Sequence, residues 1–183
     1  MSTDQLAPAR FTVASRLLHW SMAAMVIAQV LLGVTMVASL AYYPLLLAIH
    51  RPLGIVILLF AVVRLGNRMR HHPPPFLATM GRTERLVATW SERLLYALLL
   101  LQPLVGWAMV SASGTPVVVG PWRLPAIAPH SLNLFAGLHI AHVVLAALLF
   151  VTFTAHLCAV LFHTLVLRDG LLDRMALWPS RTR

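Results

Sequence analysis

Charged side chains are scarce in this chain. Only 10% of its 183 residues are Asp, Glu, Lys or Arg, whereas 60% are hydrophobic. A soluble domain normally carries about 25% charged residues, so this chain has too little polar surface to cover a soluble globule. The composition therefore predicts an integral membrane protein.

Cysteine, lysine and acidic residues are also rare or missing. Cys158 is the single cysteine, lysine is absent, and Asp and Glu together number five. A lone cysteine forms neither an internal disulfide nor a thiolate metal site. No carboxylate falls in the centre of an apolar stretch, so hydrolysis by paired carboxylates is not predicted. An N-terminus that contains Asp4 and Pro8 does not predict a cleaved signal peptide.

Four apolar stretches are long enough to cross a bilayer, which needs a helix of about 20 residues. The predicted spans are 14–41, 45–67, 86–110 and 134–167. Residues 111–133 are the predicted outer loop, and the run from Pro73 to Pro75 excludes helix between the second and third spans. Without an internal repeat, residues 1–183 are predicted to form one all-α domain, an integral membrane four-helix bundle in the lipid bilayer.

The arginines are distributed unevenly around these spans. Arg51 and Arg123 fall on one side, and the other twelve fall on the opposite side. The positive-inside rule therefore predicts that both termini are cytoplasmic. The net charge of +9 is a topology signal, and no nucleic-acid partner is predicted. The twelve are Arg10, Arg16, Arg64, Arg68, Arg70, Arg82, Arg85, Arg93, Arg168, Arg174, Arg181 and Arg183.

Six of the nine histidines fall inside predicted spans, where an ionisable side chain is a candidate for function. The alternative is a neutral imidazole that forms hydrogen bonds between helices. His71, His72 and His130 fall in connections and are predicted to be solvated. The six are His19, His50, His139, His142, His156 and His163.

Depth predicts two pairs among these six. His142 and His156 are fourteen residues apart, which is nearly four helical turns, so they share a face about 21 Å apart along the axis. His19 lies near the cytoplasmic end of the first span and His50 near the outer end of the second. The predicted pairs are therefore His19 with His156 and His50 with His142.

Two further histidines compete with these. His139 lies about 100° away from the face of His156, so it is predicted to lie at the outer surface or behind a ligand. His163 follows His156 by seven residues and shares its face, and geometry alone does not exclude it as a ligand. If His156 is the ligand, His163 lies near the cytoplasmic interface, beside a haem propionate.

Two layers with two histidines each favour haem over zinc. Zinc sites gather four protein ligands at one point, whereas haem brings four nitrogens and needs two axial histidines to hold its iron. Small residues beside the candidate ligands, Gly54 among them, let a flat macrocycle approach the helices. Arg16 and Arg51 are candidate propionate partners, and Arg16 is equally a topology anchor. Thr152 either bonds His156 or back-bonds to its own helix.

Several motifs along the chain resemble the bacterial cytochrome b561 family, four-helix di-haem b membrane proteins that include superoxide oxidase. The resemblance covers about residues 9–178. It departs at His163-Thr164, where relatives often have paired histidines. The matching positions are Arg16, His19, Trp20, Ile49, His50, Gly54, Arg64, Leu65, Arg68, Tyr96, Pro103, Gly106, Gly114, Thr115, Pro116, Leu124, Pro125, His142, His156, His163 and the stretch from Arg168 to Met175.

This resemblance implies two haem b groups, with His19, His50, His142 and His156 as the axial ligands of the iron. It also implies a multi-pass protein of the bacterial inner membrane that exchanges electrons with a membrane quinone, ubiquinone. If the chain is an enzyme, the resemblance implies an oxidoreductase of the superoxide:quinone type acting at the outer face. Only two arginines on that face argue against steering of superoxide by charge.

Two other functions remain open from the sequence. The same scaffold serves as a cytochrome b subunit that anchors a dehydrogenase or hydrogenase, which would make a redox protein the partner. A haem-free membrane transporter would use the histidines only as polar contacts between helices.

Overall fold

The computed structural model describes residues 9–178, and within them four helices are long and apolar enough to cross a membrane. The predicted all-α fold of four membrane helices is confirmed. The predictions made for Asp4, Pro8, Arg181 and Arg183 lie outside the described residues. The helices are α1 (Val13–Ala38), α2 (Tyr43–Arg70), α3 (Arg82–Ala112) and α4 (Leu132–Phe162), and α4 continues into a π-helical turn, His163–Leu167.

The connection between the first two helices comes earlier in the chain than the sequence predicts, at residues 39–42 instead of 42–44, and it is one residue longer. Helix α1 ends at Ala38, because the backbone of Ser39 is extended (φ −139°). Helix α2 already begins at Tyr43 and includes Pro44 in its first turn. Proline fits there because the first turn of a helix has no use for its missing N–H.

Helix α3 begins four residues before its predicted span. The backbone N–H of Gly81 donates to Oε2 of Glu84 at 2.8 Å, which caps the start of the helix at Arg82. The polar residues 82–85 that follow the cap therefore form the first turn of α3. At its other end α3 reaches Ala112, two residues past the predicted span.

The predicted outer loop contains a small antiparallel hairpin of strands β1 (Val117–Val119) and β2 (Trp122–Leu124). Gly120 turns the chain with φ +57°, a conformation that favours glycine. Val117 is buried and packs with Ile55 of α2 and Val110 of α3. We call this end of the bundle the hairpin end.

At the opposite end the two ends of the described chain meet, and we call it the termini end. Arg10 donates to the carbonyl oxygens of Asp173 (3.0 Å) and Ala176 (2.5 Å). Arg174, only 5% exposed, donates to the carbonyl oxygens of Ala9 and Pro75. Residues 168–178, the C-terminal segment, are thereby held against the start of α1.

An apolar core joins the four helices at mid-height. Leu149 of α4 is buried there, seven residues after His142 and seven before His156. The core therefore lies between the levels of the two candidate histidine pairs. Its buried members are Met22, Val26, Ile57, Ala61, Leu98, Leu99 and Leu149.

Candidate functional site

The first candidate pair lies at the termini end, between α1 and α4. The ring centres of His19 and His156 are 6.4 Å apart, with an angle of 64° between the ring planes. The ring of Trp20 lies edge-on to His19 at 5.7 Å, and its indole N–H donates to the carbonyl oxygen of Met175. The C-terminal segment therefore lies beside this pair.

The second candidate pair lies nearer the hairpin end, between α2 and α4. The ring centres of His50 and His142 are 6.3 Å apart, with an angle of 74° between the ring planes. The structure thus brings together both pairs that depth predicts. Within residues 9–178 no group of three or more His, Cys, Asp or Glu side chains is arranged to hold a metal ion, so a zinc site of the usual kind is not present there.

Both pairs fit an axial role towards a haem iron. Nitrogen–metal bonds in proteins are about 2 Å long, so a ring separation near 6.3 Å accommodates one metal atom between two imidazoles. Nδ1 of His50 and Nδ1 of His142 are buried without a hydrogen-bond partner among the described residues. A buried polar atom that lacks a protein partner is a candidate for contact with a bound group.

A close helix contact explains the position of the His142 ring. A Cβ atom at Gly106 of α3 would lie 3.0 Å from Cε1 and 3.3 Å from Nδ1 of His142. Real Cβ atoms are rarely so close to a neighbouring side chain, so only glycine leaves room for the ring. At Gly54, the glycine predicted to admit a macrocycle, an added Cβ atom would lie 3.4 Å from Nε2 of Gln29, which is an ordinary van der Waals distance.

Two glutamines hold the backbone beside the hairpin-end pair. Nε2 of Gln29 donates to the carbonyl oxygen of His50 at 3.0 Å, and Nε2 of Gln102 donates to that of His142 at 3.1 Å. The Gln102 amide also lies 3.2 Å from Nε2 of His142. No spacing rule predicts these contacts, although two amides inside apolar spans are an unusual signal in the sequence.

A cation lies beside the termini-end pair. Nη2 of Arg64 is 2.9 Å from Nδ1 of His19, and its guanidinium carbon is 5.6 Å from the ring centre of Tyr96. In the sequence Arg64 counts as one of the topology arginines and as one position of the family resemblance, and neither observation assigns it a contact. Its side chain nevertheless points into the bundle, which the count of arginines per side does not reveal.

The other predicted arginines have different surroundings. Nη1 of Arg16 donates to the carbonyl oxygen of Ala176 at 2.8 Å, so this side chain helps to hold the C-terminal segment. Nε of Arg16 and Nε of Arg51 are buried without a hydrogen-bond partner in the described chain. Both arginines therefore keep donors for a propionate, and the propionate role stays a prediction.

His163 is bound within its own segment. It is 8% exposed, and its Nδ1 lies 2.5 Å from Oδ2 of Asp169, six residues further along the chain. The π-helical turn that starts at His163 brings these two side chains together. Thr152 back-bonds to the carbonyl oxygen of Leu148, so the alternative of a bond to His156 is not observed.

The remaining histidines lie apart from both pairs. His139 is exposed and lies beside the ring of Phe135. His71 and His72 are exposed in the connection after α2. His130 is exposed too, and its Nδ1 lies 3.1 Å from the carbonyl oxygen of Ala112. None of these four contributes to the two pairs.

Four apolar helices with facing histidines at two levels define a membrane cytochrome b. The family described as prokaryotic cytochrome b561 matches residues 10–177. The chain therefore belongs to the prokaryotic cytochrome b561 family, and it is a haem b protein with a role in membrane electron transfer.

Two named relatives are similar to this chain. Cytochrome b561 homolog 2 of Escherichia coli K12 is 31% identical over 122 residues, which cover 63% of this chain and 63% of the relative. Probable superoxide oxidase CybB of Yersinia pestis is 26% identical over 138 residues, 75% of this chain and 78% of the relative. The match thus spans less than two thirds of the length of the first relative.

Proposed function

We propose that the chain holds two haem b groups at two depths and carries electrons between a membrane quinone and the far side of the bilayer. The observation that carries this proposal is the pair of matched ring separations, 6.4 Å for His19 and His156 and 6.3 Å for His50 and His142. The pairs are fourteen residues apart along α4, about 21 Å. They therefore bridge most of the bilayer core, which is about 30 Å thick.

Each side chain has a definite task in this proposal. The four histidines would hold the iron of the two haems, two side chains to each, and an iron held by two histidines suits electron transfer rather than substrate binding. The apolar core around Leu149 keeps water out between the two levels. The bound haem supplies the one-electron chemistry. Gln29 and Gln102 hold the backbone of the hairpin-end ligands in place.

The orientation in the membrane is part of the proposal. Ten of the twelve arginines in residues 9–178 belong to the termini-end half, and only Arg51 and Arg123 belong to the hairpin-end half. The positive-inside rule then orients the termini end to the cytoplasm. The protein would thus cross the bacterial inner membrane four times, with the hairpin outside and ubiquinone dissolved in the same bilayer.

Superoxide is a second candidate electron donor, because one relative is named a probable superoxide oxidase. Superoxide would give up one electron at the hairpin end and leave as dioxygen. The two hairpin-end arginines of the described chain offer little attraction for an anion. Stopped-flow mixing of the oxidised protein with superoxide tests this donor, and haem reduction no faster than in a buffer control would exclude it.

The main proposal is tested on the purified protein. A reduced-minus-oxidised visible spectrum should show a sharp alpha band, and a haem assay should give about two haem b per chain. The reduced protein should be reoxidised by a ubiquinone analogue. No alpha band would contradict the haem sites, and a reduced protein that ubiquinone leaves unchanged would contradict the quinone role.

A further inference from the structure

Arg64 is held in position by contacts between α2 and α3. One turn after Arg64, Arg68 forms a two-pronged ion pair with Glu92 of α3, at 2.8 and 3.2 Å. One turn after Glu92, Tyr96 presents its ring to Arg64 at 5.6 Å. The two contacts lie one helical turn apart between antiparallel helices. The ion pair therefore helps to fix the height along α3 at which Arg64 makes its contact.

A third contact sets the rotation of α2. Nδ2 of Asn67 donates to Oγ of Ser15 on α1 at 2.7 Å. Because Asn67 faces α1 and Arg68 faces α3, the residue one turn before them faces the space between these two helices. That space contains His19, and Nη2 of Arg64 lies 2.9 Å from its Nδ1.

Arg64 has no carboxylate partner among residues 9–178. Glu92 is paired with Arg68, Asp169 with His163, and Glu84 caps α3. Asp173, the fourth carboxylate of this range, forms no ion pair with Arg64. A cation within a membrane helix is costly unless it is paired, and arginine offers five N–H donors in a planar fork. One imidazole nitrogen and the face of one ring use only a small part of that capacity.

Other termini-end cations use their donors differently. Arg10, Arg16 and Arg174 donate to backbone carbonyl oxygens near the two ends of the described chain, although Nε of Arg16 stays without a partner there. These bonds hold the C-terminal segment in place and leave Arg64 as the described cation that touches a candidate ligand. The geometry of its fork matches a carboxylate, which accepts two parallel hydrogen bonds from a guanidinium.

We infer that Arg64 binds a propionate carboxylate of the haem held by His19 and His156, and that its charge raises the reduction potential of that haem. This inference rests on the proposed function. A nearby positive charge favours the reduced state, in which the iron has one positive charge fewer. The termini-end haem should therefore be the more easily reduced of the two.

The contact with His19 supports a carboxylate partner. An imidazole that accepts a hydrogen bond at Nδ1 carries its proton on Nε2, and that nitrogen then cannot bind a metal. If Nε2 of His19 bound the iron, the imidazole proton would be on Nδ1, and arginine, which is only a donor, could not accept a hydrogen bond from it. The freed donors of Arg64 then need an acceptor beside His19, and a propionate of the same haem supplies one.

A redox titration of the purified holoprotein tests the inference, with Arg64→Gln as the main variant. One of the two midpoint potentials should fall and the other should stay. Haem at the affected site should dissociate about tenfold faster or more, as expected for the loss of a charge-assisted hydrogen bond. The His142→Ala variant should keep only the termini-end haem. Adding Arg64→Gln to it should lower the single remaining midpoint potential by the same amount.

Two matched variants separate the charge of Arg64 from its geometry and from the loss of any other arginine of α2. Arg64→Lys keeps the charge without the fork, so the midpoint should recover most of its value while haem dissociation stays fast. Arg70→Gln removes an exposed cation from the last turn of the same helix and should leave both midpoints unchanged. Unchanged midpoints in Arg64→Gln would overturn the inference, as would an equal fall in Arg70→Gln. Two haems and ubiquinone reoxidation in the wild type would leave the proposed function standing in either case.

Discussion

The hairpin-end pair and the termini-end pair have nearly the same ring separation but different surroundings. Neutral amides of Gln29 and Gln102 flank His50 and His142, whereas a guanidinium from Arg64 touches His19. Amides that bond backbone carbonyls fix where a ligand lies, and a charge beside a ligand changes how easily its iron is reduced. Equal ligation with unequal neighbours would allow one fold to hold two haems of different potential.

The two levels also differ in their cover. The C-terminal segment lies over the termini end, with bonds from Arg16 and Trp20 to its backbone. At the hairpin end Val117 packs on α2 and α3, while Trp122 is exposed. The termini-end pair is therefore covered by residues near both ends of the described chain, and the hairpin-end pair by one loop.

Removing a ligand should produce the largest difference between the two levels. His156→Ala should lower the haem content from about two to about one per chain, because one axial bond at the termini end is lost. His163→Ala should keep both haems, since its ring is bound to Asp169. A haem assay on both variants is the measurement, and the opposite pattern would show that His163 is the ligand.

Filling the space at Gly106 should affect only the hairpin-end level. Gly106→Val places atoms within about 3 Å of the His142 ring, so that ring must move and its haem should be lost from most molecules. Gly137→Val is the matched control on α4, because no atom lies within 4 Å of its added Cβ. Two haems retained in Gly106→Val, by the same assay, would contradict the close contact.

The smallest expected effect comes from a neutral hydrogen bond. Gln102→Leu removes the donor to the His142 carbonyl and should weaken haem binding at the hairpin end by about 1 kcal/mol. That corresponds to roughly fivefold faster haem dissociation. Transfer of haem to an acceptor protein measures the rate at each level. Equal acceleration at both levels would indicate a general loosening of the bundle instead.

Helix periodicity explains how much of this arrangement is predictable. The spacing of His142 and His156 places them on one face of a helix. His19 and His50 are predicted at opposite depths because each lies near a known end of its span. The contact between Gly106 and His142 depends on how closely two helices approach, which no single-helix pattern contains. The architecture of four membrane helices follows from the length of the apolar stretches alone. The fold is therefore more predictable from the sequence than the site.

The ambiguity between His156 and His163 has a different origin. Seven residues are two helical turns, so a regular helix presents both rings on one face. The regular helix ends at Phe162, and the π-helical turn that follows directs His163 to Asp169. A short change of helix type leaves no mark in the hydrophobic pattern. The direction of the Arg64 side chain is unpredictable for another reason, because a count of arginines on each side of the membrane does not show which way a side chain points.

The hydrogen bonds between Arg10 and the C-terminal segment also determine which end of the bundle can form first during synthesis. Arg10 is synthesised before Asp173 and Ala176, whose carbonyl oxygens accept its hydrogen bonds. The hairpin packs on Ile55 and Val110, which are made before Leu124. The hairpin itself can therefore pack on α2 and α3 while α4 is still being made, whereas the termini end can close only after translation has passed residue 176.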